Sequence, residues 1–408
     1  MTAMTTRRGR IELLRPLARP LARPLARLAA IASAFMLAAC DPIQTASSGG
    51  SGGPSIDPSQ PVQVALLVPS GTSDANLTWL ARSLSNSAKM AAADAQGARI
   101  DLRVYDSGSD PATAVAKANE AADQGAKIIL GPLFADSANA VGHAMAPRGI
   151  NVLSFSNNAD IAGGNVFVLG NTFDNIANRL VGYAVDHDKR RIMIVAEDDA
   201  AGQVGAAAIQ RAIQRHRGTL SGSVSHPLSQ QGIDAALPNI TQAALSGNVD
   251  AVFLTANQGA VLPYLTDKLA DAGVTSASVQ MMGLTRWDQP PARLALRGVQ
   301  GGWFALPDSH LKAQFDQRYR GAYGEQPHEL GSLAYDGVAA ISALVRAGKR
   351  DALATSGLTQ NAGFVGITGA FRLNRDGTNE RALAVATVVD KQIRILSPAP
   401  SSFSGAGF

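Results

Sequence analysis

A single cysteine, Cys40, stands in 408 residues, so neither a disulfide framework nor a Cys-ligated zinc or cluster site is open to the chain. Aromatic residues are scarce at 5%. The six histidines (143, 187, 216, 226, 310 and 328) share no short spacing, which removes the paired ligands of a helical zinc site. No Walker A loop is present, and no dinucleotide fingerprint follows the first strand pattern. Gly49-Gly-Ser-Gly-Gly53 has the spacing of a nucleophile elbow, but it lies in a Gly/Ser tract where no strand-to-helix turn strains the serine. No nucleophile, base and oxyanion set can be named, so a non-catalytic protein without cofactor or metal is expected.

What is present begins with a targeting pattern over residues 1–39. Seven arginines, partly in a thrice-written Arg-Pro-Leu-Ala repeat, precede the apolar run Leu28–Ala39. That run is shorter than the ~20 residues a membrane span needs. It ends in Leu37-Ala38-Ala39-Cys40, which resembles the lipobox of bacterial lipoproteins and implies lipidation of Cys40 and an anchor in the inner or outer membrane. Residues 40–60 then read as a Gly/Ser/Pro tether. Seven of the 36 basic and one of the 32 acidic residues fall in 1–39, leaving 29 against 31. The formal net charge of +4 therefore belongs to the targeting segment, and a nucleic-acid partner is not expected.

Residues 61–398 alternate short apolar runs with helical patterns, which predicts an α/β fold with largely parallel sheets. Val62–Val68 reads as the first strand, Ile100–Tyr105 and Lys127–Leu130 as the next, and Asp110-Pro111 as a helix start. A second unit of the same kind opens near residue 174, with a strand at Arg191–Val195 and a helix over Gly205–His216. Ala334, Val338, Ile341 and Val345 make the inward stripe of a helix near 330–347. The reading is of two lobes, 61–173 and 174–305, crossover elements in 306–398, and a flexible tail over 399–408.

Ligands of such sheets sit beyond the carboxyl ends of the strands. That places Ser70, Asp136, Ser137, Asn157, Asn158, Asn257, Thr285 and Trp287 as candidate ligand-binding residues. Glu197-Asp198-Asp199 is read as the cap of the helix starting near Ala201, and Trp303 as a core residue.

Tyr105–Val115, Gly125–Phe134 and Ile150–Ser154 resemble the leucine/isoleucine/valine-binding protein family. The resemblance implies the two-lobed type 1 periplasmic-binding fold, a periplasmic location, and binding of a small molecule for an ABC permease. This chain departs from the amino-acid-binding pattern in carrying Asp136 near the expected carboxylate site, and Ala201, Asn257 and Thr285 where the family has other groups. Phe155–Asn158, Gly283–Asp288 and Gly331–Asp336 also resemble the lipoprotein subgroup that activates penicillin-binding proteins in peptidoglycan synthesis. That subgroup supplies the alternative: protein contact with a penicillin-binding protein in place of a delivered solute.

Overall fold

The computed structural model describes residues 54–403, apart from 257, 258 and 260. They form two α/β lobes, as expected. In lobe 1, β1 (Val62–Val68) lies between β2 (Ile100–Asp106) and β3 (Ile128–Leu130), followed by β4 (Val152–Ser154) and β5 (Val166–Val168), all parallel. Every residue of β1 is buried because both of its faces are covered. Val64 and Leu66 pack with Leu80 and Leu84 of α1 (Ala75–Asp94). Ala65 and Leu67 pack with Ala114 and Ala118 of α2 (Pro111–Asp123) and Val141 of α3 (Ala135–Met145). Asp110 caps α2 as expected, accepting from the Thr113 N–H at 2.9 Å, with proline in the first turn.

Lobe 2 follows α4 (Phe173–Asp186). It holds β6 (Arg191–Glu197), α5 (Ala200–Arg215), β7 (Thr219–His226), α6 (Gln230–Ala244), β8 (Ala251–Leu254), α7 (Val261–Asp271), β9 (Gln280–Gly283) and β10 (Trp303–Leu306). The chain then returns to lobe 1. There α8 (Ser309–Tyr323) sets Phe315 and Tyr319 against Met90, and α9 (Gly331–Arg346) lays Ala334, Val338, Ile341 and Val345 into the α1 core. A short α10 (Thr355–Leu358) and the antiparallel sheet β11 (Phe364–Gly366), β12 (Gly369–Leu373) and β13 (Asn379–Arg381) follow, and Phe364, Phe371 and Leu373 complete that core. Finally β14 (Ala384–Val389) and β15 (Gln392–Ser397) join lobe 2, giving the order β15-β14-β10-β9-β8-β6-β7 with β14 antiparallel to β10.

The stretch 306–398 is therefore more than a crossover: most of it finishes lobe 1 and the rest closes the lobe 2 sheet. Two boundaries also shift. Ile56, read as tether, is buried and donates its N–H to the Arg350 carbonyl at 2.8 Å, so the body starts before residue 61. The expected tail is not loose over its first residues: Phe403 is buried against Ala370 and Ala382, with the Arg372 guanidinium 4.9 Å from its ring centroid. Residues 1–53, which include the expected targeting segment and Cys40, lie outside the described residues, as do 404–408. Among the described residues no helix is long and apolar enough to cross a membrane, and no group of His, Cys, Asp and Glu is placed to hold a metal ion.

Candidate functional site

The chain passes between the lobes three times: after β5, between β10 and α8, and between β13 and β14. A buried polar network ties these passages together. Asn379 donates from Nδ2 to the carbonyls of Val168 (2.7 Å) and Gly170 (2.8 Å), while its Oδ1 accepts from Asn175 at 2.5 Å. Arg381 donates from Nε to the Leu169 carbonyl at 2.9 Å and from Nη1 to Thr368 Oγ1 at 2.8 Å. The same nitrogen ion-pairs with Asp336, whose carboxylate also accepts from Thr368 and from the Ile367 N–H. Burial pushes the Asp336 carboxyl above its ordinary range, and Arg381 pulls it back. Every donor in the network finds an acceptor, which is the condition for burying such groups without loss.

Beside these passages a cleft of about 710 Å³ receives side chains from both lobes. Leu330, Leu333 and Asn157 come from lobe 1 and Thr285, Arg286 and Arg293 from lobe 2. Leu306, Leu383 and Ile395 supply apolar wall. Most of the charge in the cleft is internally matched: Arg286 forks onto Asp288, and Lys312 holds Asp316 at 2.5 Å one helical turn on. Glu329 and two further groups are not. Arg293 donates only a long 3.4 Å bond to the Arg286 carbonyl and has no carboxylate partner among the described residues. Asn171 Oδ1, on the first passage between lobes, is buried without a donor. A guanidinium and an orphaned acceptor on an apolar-walled cleft suit a small solute with a carboxylate at one place and an N–H at another.

Of the sequence-derived candidates, Asn157 and Thr285 line this cleft. Thr285 reaches it after donating its hydroxyl to the Ala256 carbonyl at 3.0 Å. Trp287 does not face it. The side chain is wholly buried, packed on Phe304 with ring centroids 6.4 Å apart. It is seated where a Cβ on Gly283 or Gly302 would collide with the indole. Two glycines make room for the ring, so it belongs to the core. Ser137 sits buried in α3 and is not among the residues lining this cleft. Asp136 is exposed in the first turn of that helix, where a carboxylate suits the positive end. Asn158 caps a short 3-10 turn by accepting from the Asp160 N–H at 2.9 Å. Ser70, half-buried at the end of β1, is not among the lining residues, and Asn257 lies outside the described residues.

Of the acidic cluster read as a helix cap, Asp199 caps α5 by accepting from the Gly202 N–H at 2.6 Å, whereas Glu197 is the buried last residue of β6. Trp303 is half-buried and packs edge-on to Tyr183, with ring centroids 4.9 Å apart. Arg293 and Asn171 were not singled out from the sequence. The one signal for Arg293 along the chain is its place in the segment between β9 and β10, beyond a strand end.

A family model described as "Periplasmic binding protein" matches residues 61–392. Solved structures share the architecture. One from Rhodospirillum rubrum, described as a branched-chain amino acid ABC transporter, has a TM-score of 0.70 at 18% identity and covers 83% of this chain and 100% of that one. A branched-chain amino acid ABC transporter periplasmic ligand-binding protein from Burkholderia xenovorans has a TM-score of 0.66 at 16% identity, covering 84% and 96%. A solute-binding protein from R. palustris in complex with benzoate has a TM-score of 0.56 at 17% identity, covering 84% and 97%. Among curated proteins, an uncharacterized protein from Rickettsia prowazekii, RP748, is 24% identical over 225 residues, which is 55% of this chain and 58% of that one. The match thus spans less than two thirds of that relative's length.

Proposed function

This chain belongs to the periplasmic binding protein family, and from that premise we propose that it holds a small carboxylate-bearing solute between its lobes and presents it to an ABC permease. The observation that carries the reading is the cleft itself. Both lobes line it, most of its charges are paired, and Arg293, Glu329 and Asn171 Oδ1 remain unmatched within it. The solute's carboxylate would lie on the Arg293 guanidinium, an N–H on Asn171, and its apolar part against Leu306, Leu383 and Ile395. The solute classes of similar proteins run from branched-chain amino acids to benzoate by their descriptions, and both carry that carboxylate. Closure would be a hinge movement about the three passages.

The proposal includes a periplasmic location and an anchor through lipidated Cys40. Activation of a penicillin-binding protein is the weaker reading. The segments that suggest it place Trp287 and Asp336 inside the body, so those side chains offer no contact surface. The test is calorimetry of the purified protein against branched-chain amino acids and benzoate. Binding weakened about tenfold or more by Arg293→Ala, with an unchanged unfolding midpoint, is expected. No binding of either class, together with capture of a penicillin-binding protein in a pull-down, would end the solute reading.

A further inference from the structure

We propose that a second cavity, walled off from the cleft by the third passage between the lobes, is a binding site for a small oxyanion, a carboxylate or a phosphate. It has a volume of about 330 Å³ and shares Arg381 and Leu383 with the cleft as lining. Helix α4 presents Asn175, Asn178, Arg179, Gly182 and Asp186 to it, a set of helical spacings that keeps them on one face.

The argument starts from charge. Arg179 is half-buried, and its Nε and Nη2 donate to the Leu383 carbonyl and Ser397 Oγ, each at 2.6 Å. Those acceptors are neutral. No carboxylate pairs with this guanidinium among the described residues, and Nη1 is left over after the clasp on Leu383 and Ser397 is made. A partly desolvated cation without a counter-ion is an unfavourable arrangement that a bound anion relieves. Arg215, also lining the cavity, has no acidic partner among the described residues either. Glu380 is neutralised by Arg372 at 2.7 Å, so Asp186 is the one carboxylate of the wall without an ion pair there.

A second, separate observation comes from His216. Its Nε2 is buried with no partner, and in the imidazolium both ring nitrogens donate. The ring is admitted by the missing side chain at Gly182, where a Cβ would stand 2.9 Å from Cε1. Two arginines and the imidazole of His216 thus line one space, with Pro400 and Phe403 also in its wall. Forked guanidinium donors and a point donor are the groups that recognise an oxyanion.

Titrating the purified full-length protein with inorganic phosphate and, separately, with succinate tests this and tells the two sources apart. Saturable binding of at least one is expected. Arg215→Ala and His216→Gln should each weaken it about tenfold or more, while Arg293→Ala in the cleft leaves it unchanged. Neither variant removes the Arg179 clasp, so folding is preserved and an unchanged unfolding midpoint checks that. The proposal is overturned if neither anion saturates, if the two rear-cavity variants bind as the parent does, or if Arg293→Ala loses as much affinity as they do.

Discussion

Arg381 and Asp336 form an ion pair at 3.1 Å with side chains 5% and 0% exposed, joining the last passage between the lobes to helix α9 of lobe 1. A pair this deep is weak evidence of net stabilisation, but breaking it leaves a charge with nowhere to go. Asp336→Ala strands the guanidinium and should cost about 3–5 kcal/mol of unfolding free energy. Urea denaturation measures it; a loss below about 1 kcal/mol would mean that water or a rearranged partner reaches Arg381.

Trp287→Ala removes a wholly buried indole from the lobe 2 core and should destabilise by about 3–5 kcal/mol. Thermal unfolding is the measurement. A variant that unfolds like the parent but loses solute binding would return Trp287 to the cleft.

His328 gives a pH dependence. Its Nδ1 accepts the Leu330 N–H at 3.1 Å, and its ring stands edge-on to Trp79 with centroids 4.7 Å apart. Burial holds its pKa below the ordinary 6.5. A folded-state value depressed in this way means the folded protein resists a proton that the unfolded chain accepts. The contribution to stability is full above the unfolded value and is lost as pH falls through the folded one. Unfolding free energy should therefore drop between about pH 7 and pH 5. His328→Gln should flatten that slope without abolishing it, because burial lowers His216 in the same direction. An identical slope in parent and variant would place the titration elsewhere.

Cys40→Ser bears on the anchor. Metabolic labelling with a fatty acid should mark the parent and not the variant. Equal labelling of both would refute lipidation at this thiol.

Much of the fold was legible because its core strands are buried on both faces. Val62–Val68 is an unbroken apolar run for that reason, and Ala334, Val338, Ile341 and Val345 repeat at helical steps because one face of α9 packs on α1. Two elements left no such trace. β7 is an exposed edge strand written in serine and glycine, and α6 carries Pro238 in its interior, so propensity argues against both while packing of Ile233 and Ile240 holds α6 in place. The site was half legible. Asn157 and Thr285 follow strand ends, and strand ends point to the cleft. Trp287 follows one too, but the side of the loop on which a ring falls was decided by Gly283 and Gly302. Arg293 and Asn171 stand out only once the partners of the groups around them are known, which is a property of the folded chain and not of any spacing along it.

Lobe 1 takes its first interior residue from Ile56 and its last from Leu373, with the whole of β6 to β10 inserted between. A chain delivered from its amino end, whether by a ribosome or through a narrow pore, can complete the Ala65–Val166 face of lobe 1 early, but its α1 face is complete only when β12 has emerged. Full closure of lobe 1 is thereby postponed until late in the passage. A cut anywhere in 174–305 would, by the same logic, disable lobe 2 while leaving the pieces of lobe 1 able to find each other.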